Sequence, residues 1–301
     1  MDKRKFPNKV EFYITNVCNL TCENCNRFNN YKFTGYQRWD DYKDQYKQWA
    51  EHIELSAAVL LGGEPLLNPT ICDWVQGIPE VFGCDVQVLT NGTQLNHTPG
   101  LYQAFAKNPY QAHIGISLHN KSEFDTMRAR VLDFLNGNVT EWGSVLDTPC
   151  PPDRRNYKAY WSAEDSNNVL VNMWFVENFV TAAIQFDNSQ YIVNNSEPFF
   201  AHQQCGFVKF KSYHFVKGKL YKCGPSALFS EFDIQHPLAV SDEDRKIIHS
   251  YVPLSMTNFD LYHQEFFDKL DDPIPQCKFC PSNPNFKPRG NVIYPIRKEL
   301  T

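Results

Sequence analysis

A parallel α/β fold is predicted for most of this 301-residue chain, and three observations carry that expectation. Strand-like and helix-like segments alternate about five times before residue 180. Several of the strand-like runs are short and almost wholly apolar, as in strands covered on both faces. The polar, glycine-rich and cysteine-rich stretches fall at the C-terminal ends of these runs, where parallel α/β folds build their sites. The pattern suits either a barrel or an open sheet.

The elements follow in order. Residues 10–16, "VEFYITN", are β-branched and aromatic and read as a strand. In "RWDDYKDQYKQWAEHI", Trp39, Tyr42, Tyr46, Trp49 and Ile53 recur at helical spacing, and the aromatic stripe reads as helix core. "SAAVLLGGEP" is an apolar strand ending on Gly-Gly, "PTICDWVQGIPEVF" is partly helical, and "DVQVLTNG" is a strand closing on a turn. "LYQAFAK" is helical. "AHIGISLHN" is a strand with Ile114, Ile116 and Leu118 on one face and Gly115, Ser117 and His119 on the other. "SEFDTMRARVLDFLNG" is a helix, with Ser122 as its N-cap and Gly137 as its stop. Residues 138–168 read as an irregular insertion, after which "VLVNMWFV" resumes as a strand. The last hundred residues differ. "YHFVKGKLYKC" reads as a hairpin turning at Lys217-Gly218, and the Pro-rich "CKFCPSNPNFKPRG" follows an irregular or helical stretch.

Hydrophobic residues make up 42% and charged residues 21%, a soluble, globular balance. No run approaches the roughly 18 apolar residues of a membrane helix, and no signal peptide is legible, so a cytoplasmic protein without a membrane partner is expected. A net charge of -5 argues against a general nucleic-acid binder. Ten cysteines without a secretory signal read as ligands or free thiols rather than disulfides. Cys72, Cys84 and Cys150 are scattered singly and read as small buried hydrophobes.

The other seven cysteines are grouped. Cys18, Cys22 and Cys25 stand in the spacing C-x3-C-x2-C after the first strand, one ligand short of a closed four-cysteine site. Gly62 to Pro65, "GGEP", follow the second strand. Together these two motifs, in this order and at strand ends, resemble the radical S-adenosylmethionine (radical SAM) enzymes. The resemblance implies a partial (β/α)6-type parallel barrel over residues 1–200. It implies that Cys18, Cys22 and Cys25 hold a [4Fe–4S] cluster with one open iron, where S-adenosylmethionine binds. Reductive cleavage then gives a 5′-deoxyadenosyl radical that takes a hydrogen atom from substrate, with the cofactor carrying the hard chemistry. Gly62, Gly63, Glu64 and Pro65 are carried over as the segment meeting the S-adenosylmethionine amino group. Thr90, Asn91 and Ser117 are candidates for its ribose or carboxylate. Arg128 or Arg130 could pair with the carboxylate, against the alternative of a solvated helix face. Such enzymes are oxygen-sensitive and take electrons from an external one-electron donor such as flavodoxin or ferredoxin. One residue departs from the family pattern: Asn24 stands where an aromatic residue usually precedes the third cysteine.

Cys205, Cys223, Cys277 and Cys280 could hold zinc or an auxiliary [4Fe–4S] cluster. The hairpin ending on Cys223 and the later C-x2-C resemble the twitch domain, the shorter relative of the SPASM domain. This implies a small cysteine-rich α+β appendage over residues 201–301 with one auxiliary cluster. With all four ligands thiolates, that cluster has no open iron, and its role is structural or that of an electron acceptor in a net oxidation. The expected substrate is a small molecule. A peptide-modifying enzyme is the first alternative, and a zinc-bearing, non-catalytic binding protein the alternative of another class. His113, His119, His202 and His214 share no metal-site spacing and read as core or surface residues. His119, at a strand end, is the best substrate candidate among them, joined by Asn172 and Trp174 on one face of their strand. "DEDR" at 242–245 reads as a solvated turn or helix start.

Overall fold

The computed structural model describes residues 3–135, 139–142, 158–163, 169–176 and 178–288. The chain divides into two compact units, residues 1–19 with 35–178, and residues 20–34 with 179–301. The sequence places the division at 200 and leaves the short segment 20–34 with the first part.

The first unit is built on strands β1 (Arg4–Thr15), β2 (Ile53–Gly62), β3 (Asp85–Thr90), β4 (Ala112–Leu118), β5 (Val139–Trp142), β6 (Lys158–Ala163) and β7 (Val169–Phe175). Helices α1 (Trp39–His52), α2 (Ile71–Phe82), α3 (Leu101–Ala106) and α4 (Phe124–Phe134) connect the first of them. Strand order is β1-β2-β3-β4-β7-β6-β5. The pairings β1–β2, β2–β3, β3–β4 and β4–β7 are parallel. The sheet then continues with antiparallel β6 and β5.

That edge corrects two expectations. Residues 139–142 and 158–163 form strands, where an irregular insertion is expected, because "VTEW" and "KAYWSA" carry β-branched and aromatic residues within a polar stretch. Among the described residues the parallel strands number five, with an antiparallel pair beyond them, in place of a sixth parallel repeat. Helix α4 also starts later than expected: Glu123 is its N-cap after a short 3-10 turn, so Ser122 does not cap it. Gly137 and Cys150 lie outside the described residues.

The core follows from apolar spacing. Ala58 to Leu61 of β2 are all buried, as a strand covered on both faces requires. On β4, Ile114, Ile116 and Leu118 are at most 1% exposed. Trp39, Tyr46 and Trp49 of α1 are buried, and Trp39 and Tyr46 meet Trp74 of α2 edge-on at 5.1 and 5.7 Å. The aromatic stripe is therefore helix core. Cys84 is buried and Cys72 half-buried.

The second unit contains β8 (Asn178–Val180), β9 (Ile184–Asp187), β10 (Gln190–Val193), α5 (Pro198–Gln204), α6 (Gly206–Lys209), β11 (His214–Val216) and β12 (Lys219–Tyr221). Helices α7 (Gly224–Gln235), α8 (Asp242–His249) and α9 (Phe259–Asp268) and strand β13 (Phe286–Pro288) complete it. β11 and β12 pair antiparallel across Lys217 (φ 51°) and Gly218 (φ 72°). Two successive left-handed residues are what a tight two-residue hairpin turn demands. Phe28, from segment 20–34, stacks on Phe229 at 5.8 Å and meets Phe232 at 5.6 Å. This ring cluster explains why that segment groups with the C-terminal residues. "DEDR" opens α8, with Ser241 capping through Asp244 N. Its Arg245 is not simply solvated, since it pairs with the buried Asp233. Among the described residues no helix is long and apolar enough to cross a membrane.

Candidate functional site

In the first unit the strand ends converge on Glu64. Gly62 closes β2, and a Cβ there would lie 2.2 Å from the Thr15 carbonyl oxygen. A Cβ on Gly63 would lie 2.3 Å from the Val17 carbonyl oxygen. Only glycine permits this approach. The backbones are joined by Gly63 N to Thr15 O and Glu64 N to Val17 O, both 2.8 Å. The glycines are thus required by the chain's own segment leading into Cys18, a reason the sequence does not reveal.

Glu64 is fully buried. Its carboxylate accepts from Leu66 N at 3.0 Å, Thr90 Oγ1 at 2.5 Å and Asn91 N at 2.8 Å. Burial pushes its pKa up to about 7, against the opposing pull of these three donors. Pro65 opens a short buried 3-10 turn. Thr90 Oγ1 also accepts from Gly92 N at 2.9 Å, so this hydroxyl is engaged within the protein. The Asn91 amide donates to Asn19 Oδ1 at 2.9 Å, and its carbonyl accepts from Thr93 N at 2.9 Å and Thr93 Oγ1 at 2.6 Å. Asn19 Nδ2 closes the ring by donating to Thr93 Oγ1 at 2.7 Å. Asn19 directly follows Cys18, so the "TNGT" turn after β3 anchors the start of the cysteine loop. Sequence reasoning missed Asn19 and Thr93; their signal is two short polar stretches at neighbouring strand ends.

The remaining first-unit candidates are spread along the sheet. Ser117 is half-buried and in register with Trp174, which is 3% exposed. Asn172 pairs with Gly115 in register, and its Oδ1 lies 2.5 Å from His113 Nε2. Burial lowers the His113 pKa, with the Asn172 contact opposing. His119 stands half-buried just past β4. Arg128 is held elsewhere: its guanidinium takes both oxygens of Glu141 in an exposed pair. That arrangement favours the solvated-helix alternative over a role for Arg128 at S-adenosylmethionine.

The cysteine loop crosses from one unit's residues to the other's. Cys18 belongs to the first unit and is half-buried. Cys22 and Cys25 belong to the second, where Cys25 N donates to Cys22 O at 3.3 Å. Asn24 adopts φ 58°. This left-handed conformation is one that asparagine adopts more readily than most residues. Three residues on, Arg27 is buried, with its guanidinium carbon 5.1 Å from the Phe207 ring centre.

In the second unit Cys205, Cys223, Cys277 and Cys280 line one cavity, walled by Ala201, Val208, Phe229 and Ile274. Three distant stretches of sequence meet there: the end of α5, the end of the hairpin, and the C-x2-C turn. Burial pushes the Cys223 thiol up to about 12 and raises Cys277 and, most strongly, Cys280, with mutual thiol repulsion adding to each. The cavity also holds orphaned polar atoms. His202 Nε2, Lys222 Nζ and Gln276 Oε1 are buried without a hydrogen-bond partner. Among the described residues no three His, Cys, Asp or Glu side chains converge as ligands of a single ion would. Four thiols and an orphaned ammonium facing one cavity fit an anionic iron–sulfur group better than a closed apolar core, which leaves no polar atom unsatisfied. His214, also fully buried, lies outside this lining.

Residues 12–142 match the family model of the radical SAM superfamily. That stretch is similar to the superfamily's domain. The matched stretch runs from β1 through the cysteine triplet, "GGEP" and the "TNGT" turn to β5. No curated protein matches the chain. Among solved structures it is similar to Streptococcus suis SuiB bound to S-adenosylmethionine, at 19% identity and a TM-score of 0.35, over 43% of this chain and 31% of that one. SuiB bound to the precursor peptide SuiA matches at the same identity and TM-score, over 43% of this chain and 30% of that one. The chain thus covers about a third of SuiB's length.

Proposed function

We propose that this chain is a radical SAM enzyme that abstracts a hydrogen atom from an unreactive carbon of a small-molecule substrate. The observation that carries this reading is the match of residues 12–142 to the superfamily, with Cys18, Cys22 and Cys25 and "GGEP" both inside it. The C-x3-C-x2-C spacing of Cys18, Cys22 and Cys25 supplies three thiols for a [4Fe–4S] cluster with one open iron. When bound, that cluster and S-adenosylmethionine supply a 5′-deoxyadenosyl radical.

The chain's own residues have separable tasks. Cys18, Cys22 and Cys25 would hold the cluster. Gly63 and Glu64 fix the backbone at Thr15 and Val17, and so the entry to the cysteine loop. Glu64 is a positioning residue whose carboxylate gathers Thr90 and Asn91 to the end of β2. Ser117, His119, Asn172 and Trp174 lie on β4 and β7 or just beyond, as candidates for contact with S-adenosylmethionine or substrate. Cys205, Cys223, Cys277 and Cys280 would hold an auxiliary [4Fe–4S] cluster in a twitch-like unit. Such a group would let the reaction be a net oxidation.

Cleavage of S-adenosylmethionine tests the reading. Anaerobically reconstituted protein with dithionite should release 5′-deoxyadenosine, and the Cys18→Ala/Cys22→Ala/Cys25→Ala variant should not. No release from a protein with intact iron would sink it. Deuterium transfer into 5′-deoxyadenosine from labelled candidate small molecules or peptides then separates the two substrate classes. Zinc in the purified protein, with no cleavage, would favour the non-catalytic alternative.

A further inference from the structure

Lys222 is an unusual resident of its surroundings. It follows β12 directly and precedes Cys223. The strand alternation places it with the fully buried Leu220, on the inward side, and it is itself 6% exposed. Its backbone N donates to the Tyr251 hydroxyl at 3.0 Å, which pins the residue at the strand end. A lysine ordinarily runs its stem along apolar surface and leaves its ammonium in water. Here Nζ is buried and has no hydrogen-bond partner. The residue lines both the four-cysteine cavity and a cavity of about 380 Å³ walled largely by Tyr251, Val252, Leu254, Phe266 and Leu270. The nearby carboxylate of Asp271 is already taken by Lys211 at 3.0 Å and by the Tyr213 hydroxyl at 2.8 Å. A buried ammonium without a counter-charge is strongly unfavourable. Of the groups that act on it electrostatically, Cys277 and Cys223 come first, ahead of the carboxylates of Asp271 and Asp272.

We propose that Lys222 is the counter-charge and hydrogen-bond donor of the iron–sulfur cluster held by Cys205, Cys223, Cys277 and Cys280, and that it sets how readily that cluster accepts an electron. The inference rests on the reading that these four cysteines hold such a cluster. Net charge and hydrogen bonds to sulfur are among the terms that fix an iron–sulfur potential. A positive charge beside the cluster favours its more negative, reduced form, so the ammonium raises the potential. Lys222 acts through the cluster and is a positioning residue.

The test uses the full chain carrying Cys18→Ala/Cys22→Ala/Cys25→Ala, so that only the late-cysteine cluster is seen. Into this background go Lys222→Met and Lys222→Arg, each reconstituted anaerobically with iron and sulfide. Iron is counted, and the reduced fraction is followed by electron paramagnetic resonance at poised potentials. With the parent at its midpoint, Lys222→Met should lower the reduced-to-oxidised ratio at least tenfold, which is about 59 mV for a one-electron couple. Lys222→Arg should stay within threefold. A Lys222→Met protein with about four irons and an unchanged ratio overturns the inference and leaves the cluster reading intact. Loss of iron from Lys222→Met with retention in Lys222→Arg supports it, since charge is then what holds the cluster. Loss from both overturns it in favour of a packing role. No iron in the parent background ends the cluster reading, and the inference with it.

Discussion

The corner around Glu64 and the pocket of four late cysteines solve opposite problems. Around Glu64 the structure satisfies every oxygen of a buried carboxylate with the chain's own donors, from Leu66, Thr90 and Asn91. Around Cys205, Cys223, Cys277 and Cys280 it leaves three polar atoms unpaired and buries thiols at a cost to their ionisation. A region complete in itself serves to position something beside it. A region with unmet polar groups is shaped for a charged guest. The difference separates scaffold from receptacle more cleanly than residue type does, since both regions are dense in groups a motif search would single out.

The largest effect should come from breaking the two regions' independence. Cys18→Ala/Cys22→Ala/Cys25→Ala should lower 5′-deoxyadenosine formation by at least about a thousandfold, a loss of some 4 kcal/mol in barrier terms. Cys205→Ala/Cys223→Ala should keep S-adenosylmethionine cleavage while losing about four irons per chain. Liquid chromatography of 5′-deoxyadenosine reads both. Equal loss of cleavage in the two variants would mean the regions do not act separately.

The Glu64 corner should show itself in pH dependence. The carboxyl titrates near 4.5 when unfolded and about 7 when folded. The folded chain therefore binds more protons between these values, and stability falls as pH rises. The contribution is fully present below about pH 4.5 and lost through pH 7, roughly 3 kcal/mol in total. Glu64→Gln should flatten that window in urea unfolding at pH 5 and pH 8. A variant with the parent's slope would place the titration elsewhere.

The glycine contact should cost less. Gly63→Ala sets a methyl 2.3 Å from the Val17 carbonyl oxygen, and forced shifts of this kind cost about 1–3 kcal/mol. Thermal unfolding and S-adenosylmethionine binding should both suffer. Arg128→Ala should matter least. Its pair with Glu141 is exposed and screened by solvent, and S-adenosylmethionine cleavage should stay within twofold. A larger fall in cleavage would restore Arg128 as a carboxylate partner.

Much of the first unit is legible in the sequence because period and position carry it. The 3.6-residue spacing of Trp39, Tyr46 and Trp49 and the run Ala58–Leu61 each admit one reading. The antiparallel pair β5–β6 is not legible, because two short strand signals are embedded in Pro- and Asp-rich sequence. Nor is the allegiance of segment 20–34, which depends on Phe28 meeting Phe229 and Phe232 some two hundred residues away. The same holds for the sites. Spacing alone announces Cys18, Cys22 and Cys25. The Asn19–Asn91–Thr93 ring and the sequestered Nζ of Lys222 arise from tertiary contact, and nothing in a lone Asn or Lys marks it. Arg128 shows the converse, a residue of suitable chemistry drawn to Glu141 instead.

Iron and acid-labile sulfide per chain, measured on anaerobically reconstituted protein and on the two cysteine variants, test the central claim most directly. About eight irons should fall to about four in each variant. About four irons in the parent, falling to none in Cys18→Ala/Cys22→Ala/Cys25→Ala with zinc retained, would contradict a second cluster in the late-cysteine pocket.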